Sequence, residues 1–211
     1  MTVYIEVLTE GASDVPVVEQ MLIRHFGLED GQFRIHPHRG KGRLPANPLA
    51  KPDMQRQGLL DQLPAKLRGL SWLPGSALVL VLIDADNDDD QLLLAHLQTM
   101  LDVLPKKPAR VLFRLAVEET ESWFLADIRA LKSGMPKVKL NKIKDIAPDA
   151  VVGAWEVLAE ALGVPRRTVT GPDKLAWAKA IAPHMDFADP KSPSLRRLVT
   201  GTQEYLESVQ S

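Results

Sequence analysis

Three apolar stretches of this chain each run directly into carboxylates. Glu10 follows Val3–Leu8, Asp84 and Asp86 follow Ala77–Ile83, and Glu118 and Glu119 follow Arg110–Val117. Ionised carboxylates held close together repel unless some are protonated or a cation sits between them. Hard divalent ions that prefer oxygen ligands, Mg²⁺ or Mn²⁺, suit such a cluster. A cation held this way neutralises phosphate charge and activates water. The run Asp84-Ala85-Asp86-Asn87-Asp88-Asp89-Asp90 also has a plainer use, because Asp88, Asp89 and Asp90 can cap the next helix and complement its dipole. It is not an EF-hand loop: the sixth position is Asp89 where glycine is needed, and the twelfth is Ala95 where glutamate is needed.

Acids that work on phosphate need basic partners. Arg34, His36, His38, Arg39, Lys41 and Arg43 lie within ten residues with no acid among them. The Gly40-Lys41-Gly42 core lets backbone approach a phosphate, although the spacing of a P-loop is absent. Arg39, Lys41 and Arg43 are therefore the candidate substrate-binding residues. Lys174 joins them because a cation at a helix start is mildly unfavourable and so wants another reason to be there. Lys137, Lys139, Lys142 and Lys144 read as a solvated basic surface. His36 and His38 share a face of a strand, but no further histidine or cysteine supports a zinc site. Neither a Gly-x-Ser-x-Gly elbow nor a Gly-x-Gly-x-x-Gly turn is present.

The elements that must position these groups alternate. Val3–Leu8 is strand-like, and Pro16 falls in the first turn of a helix whose apolar positions are Val17, Val18, Met21 and Leu22, ending at Gly27. Phe33–His38 reads as a second strand and Met54–Leu70 as a helix weakened by Gly58 and Pro64. Ala77–Ile83 is apolar on both faces, as the centre of a covered parallel sheet requires. Gln91–Leu104 is an amphipathic helix, Arg110–Val117 a strand and Glu118–Leu131 one helix, with Trp123 and Phe124 in the core and Asp127 solvated. Beyond Ser133 the pattern predicts only helices, near 153–162, 174–185 and 194–209. The expected fold is α/β: a parallel-rich sheet of about four strands sandwiched by helices (1–132), with a helical C-terminal extension (133–211) packed on it. Strand ends of one parallel sheet share an edge, where ligands bind, so the carboxylates should converge there.

The bulk properties exclude more than they select. The 211 residues carry a formal net charge of -1, so no global field announces a polyanionic partner. Having 0 cysteines removes disulfides, thiolate zinc sites and cysteine nucleophiles. No signal peptide and no membrane span is expected, and a cytoplasmic location is the default.

The order Glu10-Gly11 after a strand, then an apolar strand ending in Asp84-x-Asp86, resembles the Toprim signature shared by topoisomerases, bacterial primases and overcoming-lysogenization-defect nucleases. Glu10-Gly11-Ala12-Ser13-Asp14, the stretch Glu119-Thr-Glu121-Ser-Trp123-Phe-Leu-Ala-Asp127 and Ser192–Leu198 are together similar to a Toprim-like family, domain of unknown function 4276. Thr9 departs from the apolar residue usual before the Glu-Gly pair. The resemblance implies a Toprim-like fold with Glu10, Asp84 and Asp86 as catalytic and metal residues, joined by Glu119 as a metal residue; Asp88, next in the aspartate run, is a further candidate metal residue. It implies Mg²⁺-dependent cleavage of phosphodiesters in nucleic acid, with a partner ATPase in a phage-defence system as the associated setting. The rival is a non-catalytic regulatory subunit of an ATPase-associated complex that keeps the fold; hydrolysis of a small phosphate ester is a third possibility.

Overall fold

The computed structural model describes residues 3–86, 88–144 and 146–210. Four strands form one sheet: β1 (Ile5–Thr9), β2 (Phe33–Pro37), β3 (Leu78–Asp84) and β4 (Val111–Ala116), in the order β2-β1-β3-β4, every neighbouring pair parallel. The helices are α1 (Val15–Gln20), continued by a π turn over Met21–His25, α2 (Leu59–Gly69), α3 (Asp90–Asp102), α4 (Glu121–Ala126), α5 (Ile128–Gly134), α6 (Ala154–Leu162), α7 (Gly171–Ile181) and α8 (Pro193–Gln210).

Alternation along the strands sends side chains to two cores. Val79, Val81 and Ile83 of β3 face α2 and α3, where Leu59, Leu63, Leu67 and Leu97 are completely buried. Leu78, Leu80 and Leu82 face the other way, onto α1 and the helices from α4 onward. Both faces of β3 are thus apolar because both are covered, as expected for a central parallel strand. Each fully buried leucine contributes roughly 1.5–3 kcal/mol. This offsets the backbone bond that Pro64 removes from the interior of α2.

The second core is continuous from β1 to α8, so the C-terminal helices and the sheet share one interior. α8 passes over β4, and its Tyr205 hydroxyl donates to the backbone carbonyls of Tyr4 (3.0 Å) and Ser76 (2.8 Å). At its other end, Asp149 accepts from the Ser192 hydroxyl and the Ser194 N–H (2.6 Å each), and Trp123 Nε1 donates to Ser194 Oγ (2.7 Å). The Ser-Pro-Ser segment is a helix start tied to the buried Trp123.

One expected helix is two. Asp127 ends α4 and opens α5: its Oδ1 accepts from the Ala130 N–H (2.9 Å) and its Oδ2 from the Asp186 N–H (3.0 Å). A side chain expected to be solvated mid-helix is a helix cap, and Asp caps because its short oxygen reaches the free N–H groups of the first turn. Trp123 and Phe124 lie in the core as expected. No described helix is long and apolar enough to cross a membrane.

Candidate functional site

Because all four strands run the same way, their C-terminal ends lie along one edge. Glu10 leaves β1 and Asp84 closes β3 there, and Glu10 Oε2 accepts from the Asp84 N–H at 3.3 Å. Asp84 is half-buried, but its Oδ1 is sealed from solvent and has no hydrogen-bond partner among the described residues. Beside them Asp14, the residue before α1, makes no cap bond. Its Oδ2 accepts from the Gly11 N–H (2.8 Å) and its Oδ1 from the Thr120 hydroxyl (3.0 Å), so it joins the turn after β1 to the loop after β4. Thr9, where an apolar residue was expected, is fully buried and donates its hydroxyl to the Gly11 carbonyl (3.0 Å).

The loop after β4 brings three glutamates. Glu118 and Glu119 accept from the Gly153 and Trp155 N–H groups (2.9 and 3.1 Å), which places both carboxylates at the start of α6, where free N–H groups favour negative charge. Glu121 is buried. Lys174, from the first turn of α7, reaches into the same place. Its Nζ stands 3.6 Å from Glu119 and 3.5 Å from Glu121, an ion-pair separation longer than a good hydrogen bond, and 5.0 Å over the Trp155 ring.

On the opposite flank the basic loop folds over the end of β1. Gly40 N–H donates to the Glu10 carbonyl (3.1 Å), while the N–H groups of Leu59 and Leu60 donate to the carbonyls of Gly40 and Lys41 (2.8 and 2.7 Å). Gly42 and Gly58 cross so closely that a Cβ on Gly58 would lie 2.5 Å from Gly42 Cα. Lys41, thus anchored, donates to the Ala85 carbonyl (2.8 Å) and pairs with Asp86 (3.0 Å) and Asp88 (2.7 Å). Arg39 and Arg43 point into solvent without an acidic partner among the described residues. Asp89 caps α3 through the Leu92 N–H (2.8 Å), the helix-capping use of this aspartate run.

Two residues of this edge hold a left-handed backbone that only glycine adopts without strain: Asp86 (φ 50°) and Glu118 (φ 64°). Each costs on the order of 1–3 kcal/mol. The Asp86 N–H donates to the Glu118 carbonyl (2.9 Å), so the strained residues brace one another across the ends of β3 and β4.

Burial pushes Glu10 up to about 7, reinforced by Asp86 and Asp14. Burial likewise pushes Glu119 up to about 7, with Glu121 adding to it and Lys174 opposing. Asp84 is raised well above the usual range, by burial first and then by Asp14, Glu10, Glu121 and Glu119. Asp14 and Glu121 are raised by burial too.

The structure brings Glu10, Asp84, Asp86, Asp88, Lys41, Glu119 and Lys174 to one edge and adds Asp14 and Glu121. Arg39 and Arg43 stay at its rim. The donors are all hard carboxylate oxygens, and the partnerless Asp84 Oδ1 is the kind of atom a cation satisfies. No three described His, Asp or Glu side chains are yet gathered at metal-binding distance. The two histidines are engaged separately, His36 Nε2 with the buried Glu6 (2.5 Å) and His38 Nδ1 with the Thr9 carbonyl (2.8 Å).

Residues 9–202 match the model of a family described as a domain of unknown function (DUF4276). No curated protein and no solved structure matches the chain.

Proposed function

The chain belongs to the DUF4276 family, and from its carboxylate edge we propose a Toprim-like, Mg²⁺- or Mn²⁺-dependent phosphodiesterase that acts on nucleic acid. The observation that carries this reading is the sealed, partnerless Asp84 oxygen at the centre of carboxylates that burial and mutual repulsion have lifted toward neutrality. Perturbed titrating groups clustered in this way mark functional sites more often than structural ones.

Glu10 and Asp84 are the residues to hold the cation, with Asp86, Asp88 and Glu119 completing the set by side-chain rotation. A bound Mg²⁺ supplies charge neutralisation at a phosphodiester and acidifies water. The chain's own residues do the rest. Lys41 orients Asp86 and Asp88 and presents a cation at the rim, where Arg39 and Arg43 can contact further phosphate oxygens. Lys174 offsets the charge of Glu119 and Glu121 and places a second ammonium group at the edge. The strained Asp86 and Glu118 keep the two loops in one arrangement.

The test is calorimetric titration of the protein and of Asp84→Asn with Mg²⁺ and Mn²⁺, followed by incubation with plasmid and single-stranded DNA. Wild type should bind metal and cleave; the variant should lose metal binding and fall about 10²–10³-fold in rate. A folded wild type that binds no metal at millimolar concentration would overturn the reading.

One observation favours a second reading. Lys41 already satisfies Asp86 and Asp88, as in a non-catalytic subunit, for instance one serving a partner ATPase, in which lysines have replaced the metal. A folded wild type that binds neither Mg²⁺ nor Mn²⁺ and cleaves no phosphodiester would favour it.

A further inference from the structure

We propose that the exposed cations around the C-terminal end of α6 form a docking strip for a nucleic-acid backbone, set beside the carboxylate edge and separate from the Arg39–Arg43 loop. The proposal rests on reading that edge as a phosphodiester site. Charge in this chain is segregated: residues 128–180 hold ten Lys and Arg against five Asp and Glu, although the whole chain is at -1. The fold gathers part of that excess. Lys139 N–H donates to the Ala161 carbonyl (2.8 Å), laying the 137–142 segment against the last turn of α6. Lys139 Nζ lies 3.6 Å from where a Cβ on Gly163 would sit. Lys142 and Arg166 meet on Glu160, at 3.1 and 3.3 Å. Lys137 and Arg167 flank them, both exposed and without an acidic partner among the described residues. Five exposed cations thus lie on the segments at the end of α6, where Glu160 pairs with two of them.

The position of α6 gives this patch a direction. The helix begins at Glu118 and Glu119, which accept its first N–H groups, and it ends inside the strip. At 1.5 Å per residue, Glu160 lies about 8 Å and Gly163 about 12 Å beyond Trp155 along the axis. A duplex rises about 3.4 Å per nucleotide of each strand, so a backbone seated at the edge reaches the strip within about two to four nucleotides. Exposed cations in a row fit a repeating phosphate chain, which gains from counterion release at every contact. An acidic protein surface would instead seek an apolar centre within a polar rim.

The experiment is fluorescence anisotropy of the full chain with labelled single- and double-stranded DNA, in EDTA so that no cleavage intervenes, from about 50 to 200 mM salt. Lys139→Glu/Arg167→Glu should raise Kd at least about tenfold and reduce the slope of log K against log salt by about two. Lys106→Glu, an exposed lysine outside the strip, should change Kd less than about twofold. Equal binding by wild type and the double variant would overturn the strip, as would an equal loss in Lys106→Glu or no binding by wild type to either DNA. The two proposals fail separately. A wild type that binds DNA but never cleaves it overturns the catalytic reading alone. One that hydrolyses a small phosphodiester with Mg²⁺ but binds no DNA overturns the strip alone.

Discussion

The carboxylate edge has two flanks, each closed by a lysine, and they differ in depth. Around Lys41 the acids are open to water: the side chains of Asp86 and Asp88 are 43% and 56% exposed. Around Lys174 they are enclosed, with Glu119 and Glu121 at 15% and 3%. Exposed pairs are held weakly, typically by 0–1 kcal/mol, because water competes for both partners and long side chains lose entropy. Enclosed pairs are costly to break from one side, because the remaining charge has neither water nor a partner. The Lys41 flank is thus the part that can rearrange for a ligand, and the Lys174 flank is the rigid wall against which it does so.

The largest expected effect lies on the enclosed flank. Lys174→Met should destabilise the protein by about 2–3 kcal/mol in urea denaturation at pH 8, somewhat below the cost for a fully buried pair because Lys174 is a quarter exposed. The loss should shrink near pH 5, where the glutamates can take protons. A loss that does not depend on pH would mean that Lys174 matters only for packing against Trp155.

Next comes the whole-edge response to pH. Glu10 and Glu119 are raised from 4.5 to about 7, so the folded protein binds more protons than the unfolded chain between those values, and Asp84 is raised in the same direction. Stability of the metal-free protein must therefore fall as pH rises through that window. His38, held below its ordinary value by burial, acts in the opposite sense, but as one group against several. Glu160, Asp173 and Asp189 are held low by their hydrogen bonds and act only at more acid pH. Melting curves from pH 4.5 to 8 should show the decline, and Mg²⁺ should reverse it above pH 7. Asp84→Asn should melt higher than wild type at pH 8 without metal, since burial and the neighbouring carboxylates disfavour an anion at that position; a lower melting point there would mean that the carboxyl is not disfavoured. The smallest effect belongs to the open flank: Lys41 itself is enclosed, at 14% exposed, but its acids are solvated, so Lys41→Met should cost less than Lys174→Met while tightening Mg²⁺ binding, because it frees Asp86 and Asp88. A cost as large as that of Lys174→Met would erase the distinction between the flanks.

The sheet was legible because short apolar runs bounded by turn residues, one of them apolar on both faces, have the length of strands, and their ends fix where the following acids lie. Glu10, Asp84, Glu118 and Glu119 followed from those strand ends, and the family resemblance singled out Glu119. Asp14 and Glu121 did not. A carboxylate at a helix start normally serves the local backbone, and only the tertiary hydrogen bond from Thr120 and the approach of Lys174 reveal the difference. The Ser13-Asp14 pair within the turn motif was the available signal for the first. Asp127 was misread because a strong apolar pattern continues through it, although Asp is a better cap than an interior helix residue. Lys41 and Lys174 find their partners across 45 and about 55 residues, distances over which local patterning carries no information. No sequence period distinguishes Arg39 and Arg43, which face solvent, from Lys41 between them.

The hydroxyl of Tyr205 ties the last helix to the carbonyl of Tyr4, 201 positions earlier. A chain emerging from the ribosome can pair β1 with β3 long before that residue exists, yet it cannot seal the open side of its sheet. Until α8 arrives, the face of β4 that it covers is bare, and contacts this remote in sequence form slowly. The nascent protein should therefore pass through a sticky stage in which holdase chaperones determine yield, and truncation before Ser192 should give a chain that is captured rather than folded.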